Sequence, residues 1–199
     1  MLEILTGTGL AAAAGLNAYI PLLLLGLAGR FIDVVQLPAG WGWLENEWVL
    51  GILAVLLAVE VVADKIPAVD TVNDWIQTVV RPASGGIVFG GGSASETAAV
   101  PDPAAFVENG QWVPVAIGVG IALLVHLAKA ALRPVLNTLT FGLAAPVASS
   151  IEDAGSVTLS LLALIAPVLV VLALAALAVG AVLIVRRARV KRRMAATRG

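Results

Sequence analysis

"VEVVADKIPAVD", residues 59–70, closes a long apolar run with a glutamate, an aspartate and a lysine, and then a proline. From Trp48 to Val59 the chain carries no charge. A bilayer core about 30 Å thick takes about 20 helical residues, because each residue advances ~1.5 Å. Residues 48–64 therefore read as a membrane span whose last turn holds Glu60 and Asp64. Four apart, these acids lie on one helical face about one turn from each other, with Lys65 beside them and Pro67 ending the helix.

The rest of the chain fits that reading. Of its 199 residues 60% are hydrophobic and 13% charged, against roughly 25% charged in a soluble domain. The fold class expected is all-α, a polytopic integral membrane helical bundle with six spans near 4–29, 48–64, 82–98, 112–132, 134–149 and 156–185. Treating the third and fifth segments as re-entrant makes four spans, the second choice. "GLNAYIP" (15–21) places Asn17, Tyr19 and Pro21 where the first span is expected to break. Residues 68–80 carry Val69, Val72, Ile76 and Val79 at helical spacing, with Asp70, Asn73, Asp74 and Gln77 between them, as in a short helix lying in the membrane surface. Arg81-Pro82 and Phe89-Gly90 recur as Arg133-Pro134 and Phe141-Gly142 at a common offset, which suggests a duplicated helical hairpin.

Seven of the twelve basic residues lie in the last fourteen positions. This basic tail, 186–199, is expected at anionic lipid headgroups. With Lys65, Arg81, Lys129 and Arg133 it places both termini in the cytoplasm of a bacterial inner membrane by the positive-inside rule. Asp33, Glu45, Glu47, Asp102, Glu108, Glu152 and Asp153 then fall outside. The start, "MLEILTG", has no early Lys or Arg, so the first apolar segment reads as retained rather than as a signal peptide. The small residues of the third segment suit close helix packing, within one chain or in a homo-oligomer.

On the fourth span His126, Lys129 and Arg133 form a basic stripe that Asn137 extends. Ionisable groups in lipid cost about 2.5–3.5 kcal/mol each on insertion scales, so the acidic and basic stripes are expected to pair in the bundle interior. Glu60, Asp64, His126, Lys129 and Asn17 are the candidate ion or solute pathway. Lys65, Asp70, Asp74, Arg81, Arg133, Asn137, Glu152 and Asp153 are secondary candidates. Ser149 and Ser150 stand three residues before Glu152 and Asp153, a capping-box pattern at the start of the last span. The chain has no cysteine and one histidine, which excludes thiolate and histidine-rich metal sites. "GGIVFGGGSAS" lacks the P-loop lysine. There is no nucleophile elbow or triad. No cofactor, enzyme activity or nucleic-acid partner is implied, and the reading is a small transporter or a membrane scaffold whose charges lock helices together.

"GLNAYIPLLLLGLAGR" (15–30), "ADKIPAVDTVNDWIQTVVRPASG" (63–85) and the run from "HLAKAALRPVLNT" to "SSIEDAGS" (126–156) resemble the bacterial membrane-protein family of domain of unknown function 4126. That resemblance implies a multi-span architecture and supplies no activity. "EVVADK" (60–65) is also similar to the Glu-x-Gly-Asp-Lys signature of small cation exchangers. It departs in lacking the glycine and in spacing the acids four apart instead of three, which turns the second carboxylate by about 100° around the helix.

Overall fold

The structure is a computed structural model that describes residues 1–93, 110, 112–140 and 145–196. Of these, 67, 68, 70–72, 133–140, 145, 184 and 187–196 are described by their backbone alone. Every regular element among them is helical: α1 (Leu2–Leu16), α2 (Tyr19–Phe31), a 3-10 helix (Ala39–Glu45), α3 (Glu47–Ala63), α4 (Pro67–Gly92), α5 (Trp112–Thr140), α6 (Ala145–Ile165) and α7 (Val168–Ala196).

The distribution of side chains is the inverse of a soluble protein. Val55, Val59 and Val62 on α3, Leu124 and Leu127 on α5, and Val171 and Leu172 on α7 all point outward. Asn17, Glu60, Gln77, Arg81 and His126 are buried. Apolar residues outside and charges inside mark a helical membrane protein. Trp112–Leu132 and Pro146–Ile165 have the length and hydropathy of membrane spans. The 3-10 helix and α3, bent by 63°, add a third if taken together.

α1 occupies the centre because its side chains are small. Gly7, Gly9, Ala11, Ala12, Ala13, Ala14 and Gly15 are buried on all sides, so α4, α5 and α6 approach its backbone closely. A Cβ at Gly15 would come within 2.6 Å of the Ala122 carbonyl oxygen. α4 and α5 cross the same way, Gly85 and Gly86 facing Gly118, Val119 and Ala122. The glycines of the third segment thus pack within one chain.

Residues 4–29, expected as a single span with a break, instead fold back on themselves. Pro21 has no N–H, and its ring would clash with the carbonyl four residues earlier, that of Asn17. Asn17 accordingly takes an extended conformation, φ −144° and ψ 126°. Leu10 of α1 packs on Gly92 while Leu25 of α2 packs on the adjacent Gly91, and both belong to one buried cluster with Leu44 and Phe89. One continuous helix would hold Leu10 and Leu25 about 22 Å apart. α1 and α2 are therefore a helical hairpin with its tip at Asn17. The 15 residues of α1 reach about 22 Å, short of the ~30 Å hydrocarbon core.

Other boundaries shift as well. Residues 156–185, expected as one tilted span, divide at Pro167. Gly9 touches both Ala163 of α6 and Val170 of α7. Farther along α1, Ala12 and Ala13 pack with Leu159 and are covered by Ala173 and Leu174. α6 and α7 diverge from Pro167 toward the same end, as a hairpin does. Residues 68–80 and 82–92 form the single helix α4 with Pro82 inside it, while residues 94–98 of the expected third span lie outside the described residues. Residues 134–140 continue α5, and 145–149 open α6. Both Arg-Pro pairs therefore sit inside helices, and the duplicated hairpin is not formed. Proline inside a membrane helix is tolerated where neighbouring helices satisfy the freed backbone groups.

These reversals put the chain ends apart. Leu2 and Phe31 lie at one end of the bundle, with Trp41 and Trp43, and α7 runs to the other.

Candidate functional site

The polar residues converge on the tip of the α1–α2 hairpin. A helix break opens backbone groups to other partners, and here side chains bond to them, in addition to the Asn17 N–H that Ala13 O accepts at 3.0 Å. Asn17 Oδ1 accepts from the backbone N–H groups of Tyr19 (3.0 Å) and Ile20 (3.2 Å), capping α2. On the carbonyl side three helices each send one donor. Ser156 Oγ of α6 donates to Ala13 O at 3.0 Å, Ser84 Oγ of α4 donates to Ala18 O, and Lys129 Nζ of α5 reaches Leu16 O at 3.5 Å. Asn17 Nδ2 donates to Asp153 Oδ1 at 2.9 Å. The tip is thereby tied to α4, α5 and α6.

Two ion pairs stand beside it. Glu60, on the inner stripe of α3 with Leu53 and Ala63, accepts from Arg81 Nη2 of α4 at 3.0 Å, both side chains being 0–1% exposed. Lys129 Nζ holds Glu152 Oε2 at 2.7 Å, and it lies within electrostatic reach of Glu60, as does Asp64. His126 links α5 to α4, its ring nitrogens lying 3.1 Å from Thr78 Oγ1 and 3.5 Å from Arg81 Nη1. The Tyr19 hydroxyl, just past the tip, lies beside the Gln77 side chain. Asp64, at the end of α3, accepts from Asn73 Nδ2 at 2.7 Å and from Ser149 Oγ at 3.3 Å.

Within this cluster, Glu60 Oε2, Gln77 Oε1 and Arg81 Nε are buried with no hydrogen-bond partner among the described residues. A buried polar atom left unsatisfied costs about 1–3 kcal/mol. These two acceptors and one donor around one ion pair are hydrogen-bonding capacity that a water, an ion or a small polar group would satisfy. Among the described side chains, Glu60, Asp64, Glu152 and Asp153 are four carboxylates near Arg81 and Lys129. Among the described residues no three of His, Asp and Glu come together as a metal-ligand set.

The structure places Asn17 and Lys129 at the tip, Glu60 and His126 on Arg81 beside it, and Asp64 on Asn73 and Ser149 at the end of α3, and it changes their pairing. Glu60 is held by Arg81, not by the stripe on α5, and Lys129 takes Glu152. The reason is the course of α4: residues 68–80, expected on the membrane surface, enter the bundle with Trp75, Ile76 and Val79 outward and Gln77 and Arg81 inward. The helical period was legible, and the two faces are reversed relative to a surface helix. The capping boxes at Ser149 and Ser150 are not formed, since α6 begins at Ala145, one turn earlier. Ser149 donates to Asp64, and Ser150 to its own turn at Pro146 O (2.9 Å).

Among the other candidates, Lys65 is exposed and donates to Val61 O at 3.3 Å, while Asp74 is half-buried one turn before Thr78. The side chains of Asp70, Arg133, Asn137 and all of the tail beyond Arg186 lie outside the described residues. Sequence reasoning passed over Tyr19, Gln77, Ser84 and Ser156. Gln77, Arg81 and Ser84 follow i, i+4, i+7 spacing, a signal available once 67–92 is read as one helix.

Over residues 4–187 the chain matches the family model described as Domain of unknown function (DUF4126). No curated protein matches it, cation exchangers included, and no solved structure does.

Proposed function

The chain belongs to the DUF4126 family, and we propose that it is a small inner-membrane transporter that moves a cation, a proton included, or a small polar solute past the tip of the α1–α2 hairpin. The observation that carries this reading is the short α1–α2 hairpin, apolar along its length and ending on a charged cluster. Non-helical backbone within a membrane is tolerated where it is buried in protein or lines a water-filled cavity, and broken helices at such depth hold ions and substrates in secondary transporters. Glu60 is the central carboxylate. Its free Oε2 and the Gln77 carbonyl accept from the cargo, and Arg81 and His126 govern access.

In this proposal the hairpin enters from the outer side, and α3 to α7 cross in turn, with the basic end of α7 at the cytoplasmic anionic lipid surface. The amino terminus is then external. Purified protein reconstituted in liposomes is expected to conduct a cation or proton flux that Glu60→Gln abolishes. Equal flux in the variant would remove Glu60 from the pathway.

A second reading has its own support, because Arg81 and Lys129 each already hold a carboxylate. In a membrane scaffold these pairs would serve only to lock helices. That reading expects no flux in the wild type, and full stability when the Glu60–Arg81 pair is replaced by a matched apolar pair.

A further inference from the structure

We infer that the Lys129 ammonium is a tethered stand-in for a monovalent metal cation, so that the protein works without bound sodium or potassium. This rests on the transport reading for its purpose but not for its test. The carbonyl end of a helix carries roughly half a negative charge from aligned peptide dipoles, and a helix that stops inside a membrane presents that charge with no water to solvate it. Such half-helix ends hold coupling ions in transporters.

The end of α1 is of this type. Its last carbonyl, Leu16 O, faces Lys129 Nζ at 3.5 Å, and Glu152 Oε2 meets the same nitrogen at 2.7 Å. Asn17 and Asp153 stand alongside, joined at 2.9 Å. A backbone carbonyl and a carboxylate around one positive centre are the oxygen ligands that an alkali cation takes. Here the centre is a primary ammonium on a side chain that is 4% exposed. Lys129 comes from α5, whereas the oxygens come from α1 and α6, so the amine bridges three helices as a bound ion would.

The test is thermal unfolding of the full chain in detergent, in sodium, potassium or choline chloride at equal ionic strength. The wild-type midpoint is expected to be the same in all three salts. Lys129→Ala is expected to lower it on the order of 10 °C, by taking the ammonium away from Glu152 and the helix end. Sodium, potassium or added ethylammonium then restores about half of that loss where choline does not, as ligand linkage requires. Lys129→Gln, which keeps hydrogen-bonding capacity, provides the same comparison if the alanine variant does not fold. A wild-type midpoint that rises specifically in sodium or potassium would overturn the inference, as would variants that respond alike to every salt. Neither outcome depends on flux, so failure here is distinguishable from failure of the transport reading.

Discussion

Replacing Glu60 by Gln and Arg81 by Met, singly and together, should expose an asymmetry that follows from their burial. The pair is 3.0 Å long, with side-chain exposures of 1% and 0%. Glu60→Gln leaves a guanidinium that cannot shed its charge, with His126 Nδ1 3.5 Å away and Nε without a partner. An unpaired buried charge of this type costs about 3–5 kcal/mol. Arg81→Met leaves a carboxyl that can take up a proton, so the loss is limited to the bond and an imperfectly satisfied neutral group, about 1–3 kcal/mol. The double variant strands neither charge. Its loss should fall below the sum of the single losses by about 2–4 kcal/mol, the coupling energy of the pair. Equilibrium unfolding in mixed micelles with increasing sodium dodecyl sulfate, followed by the fluorescence of the five tryptophans, measures all three. Additivity within about 0.5 kcal/mol would mean that the two side chains do not meet and would refute the arrangement described for α3 and α4.

Two further outcomes test the hairpin. Asn17→Ala removes the cap of α2 and the bond to Asp153 and should cost about 2–3 kcal/mol in the same assay; Asn17→Asp restores the cap acceptor but faces Asp153 and should not recover the loss. Single cysteines at positions 3, 33 and 65, introduced into a chain that has none, should react with a membrane-impermeant thiol reagent from one side at 3 and 33 and from the opposite side at 65. Labelling of 3 and 65 from a common side would mean that the first segment crosses.

Much of the fold was legible because a bilayer limits the options. Apolar stretches long enough to cross, with few charges, must be helices that satisfy their own backbone, and "GLNAYIP" announced a break through Pro21. What local sequence could not convey was the direction in which the chain leaves that break. A kink and a reversal require the same proline and the same capping asparagine, and they differ only in whether Leu25 travels away from Leu10 or back to it. The same ambiguity hid the turn at Pro167. Burial of Glu60, Asp64, His126, Lys129 and Asn17 was legible by residue type, and their pairing was not. Arg81 was assigned to a loop because Arg-Pro looks like a boundary, although α4 runs through it.

The sequence by itself determined that this chain lives in lipid, where it is helical, and which few ionisable groups must find partners away from hydrocarbon, because hydropathy and the cost of a lone charge depend on residue identity alone. Only the tertiary structure decided that the first segment folds back on itself and which cation meets which acid. Those outcomes depend on glycine and alanine contacts between helices distant in sequence, and the packing of α4, α5 and α6 around α1 has no counterpart in any local pattern.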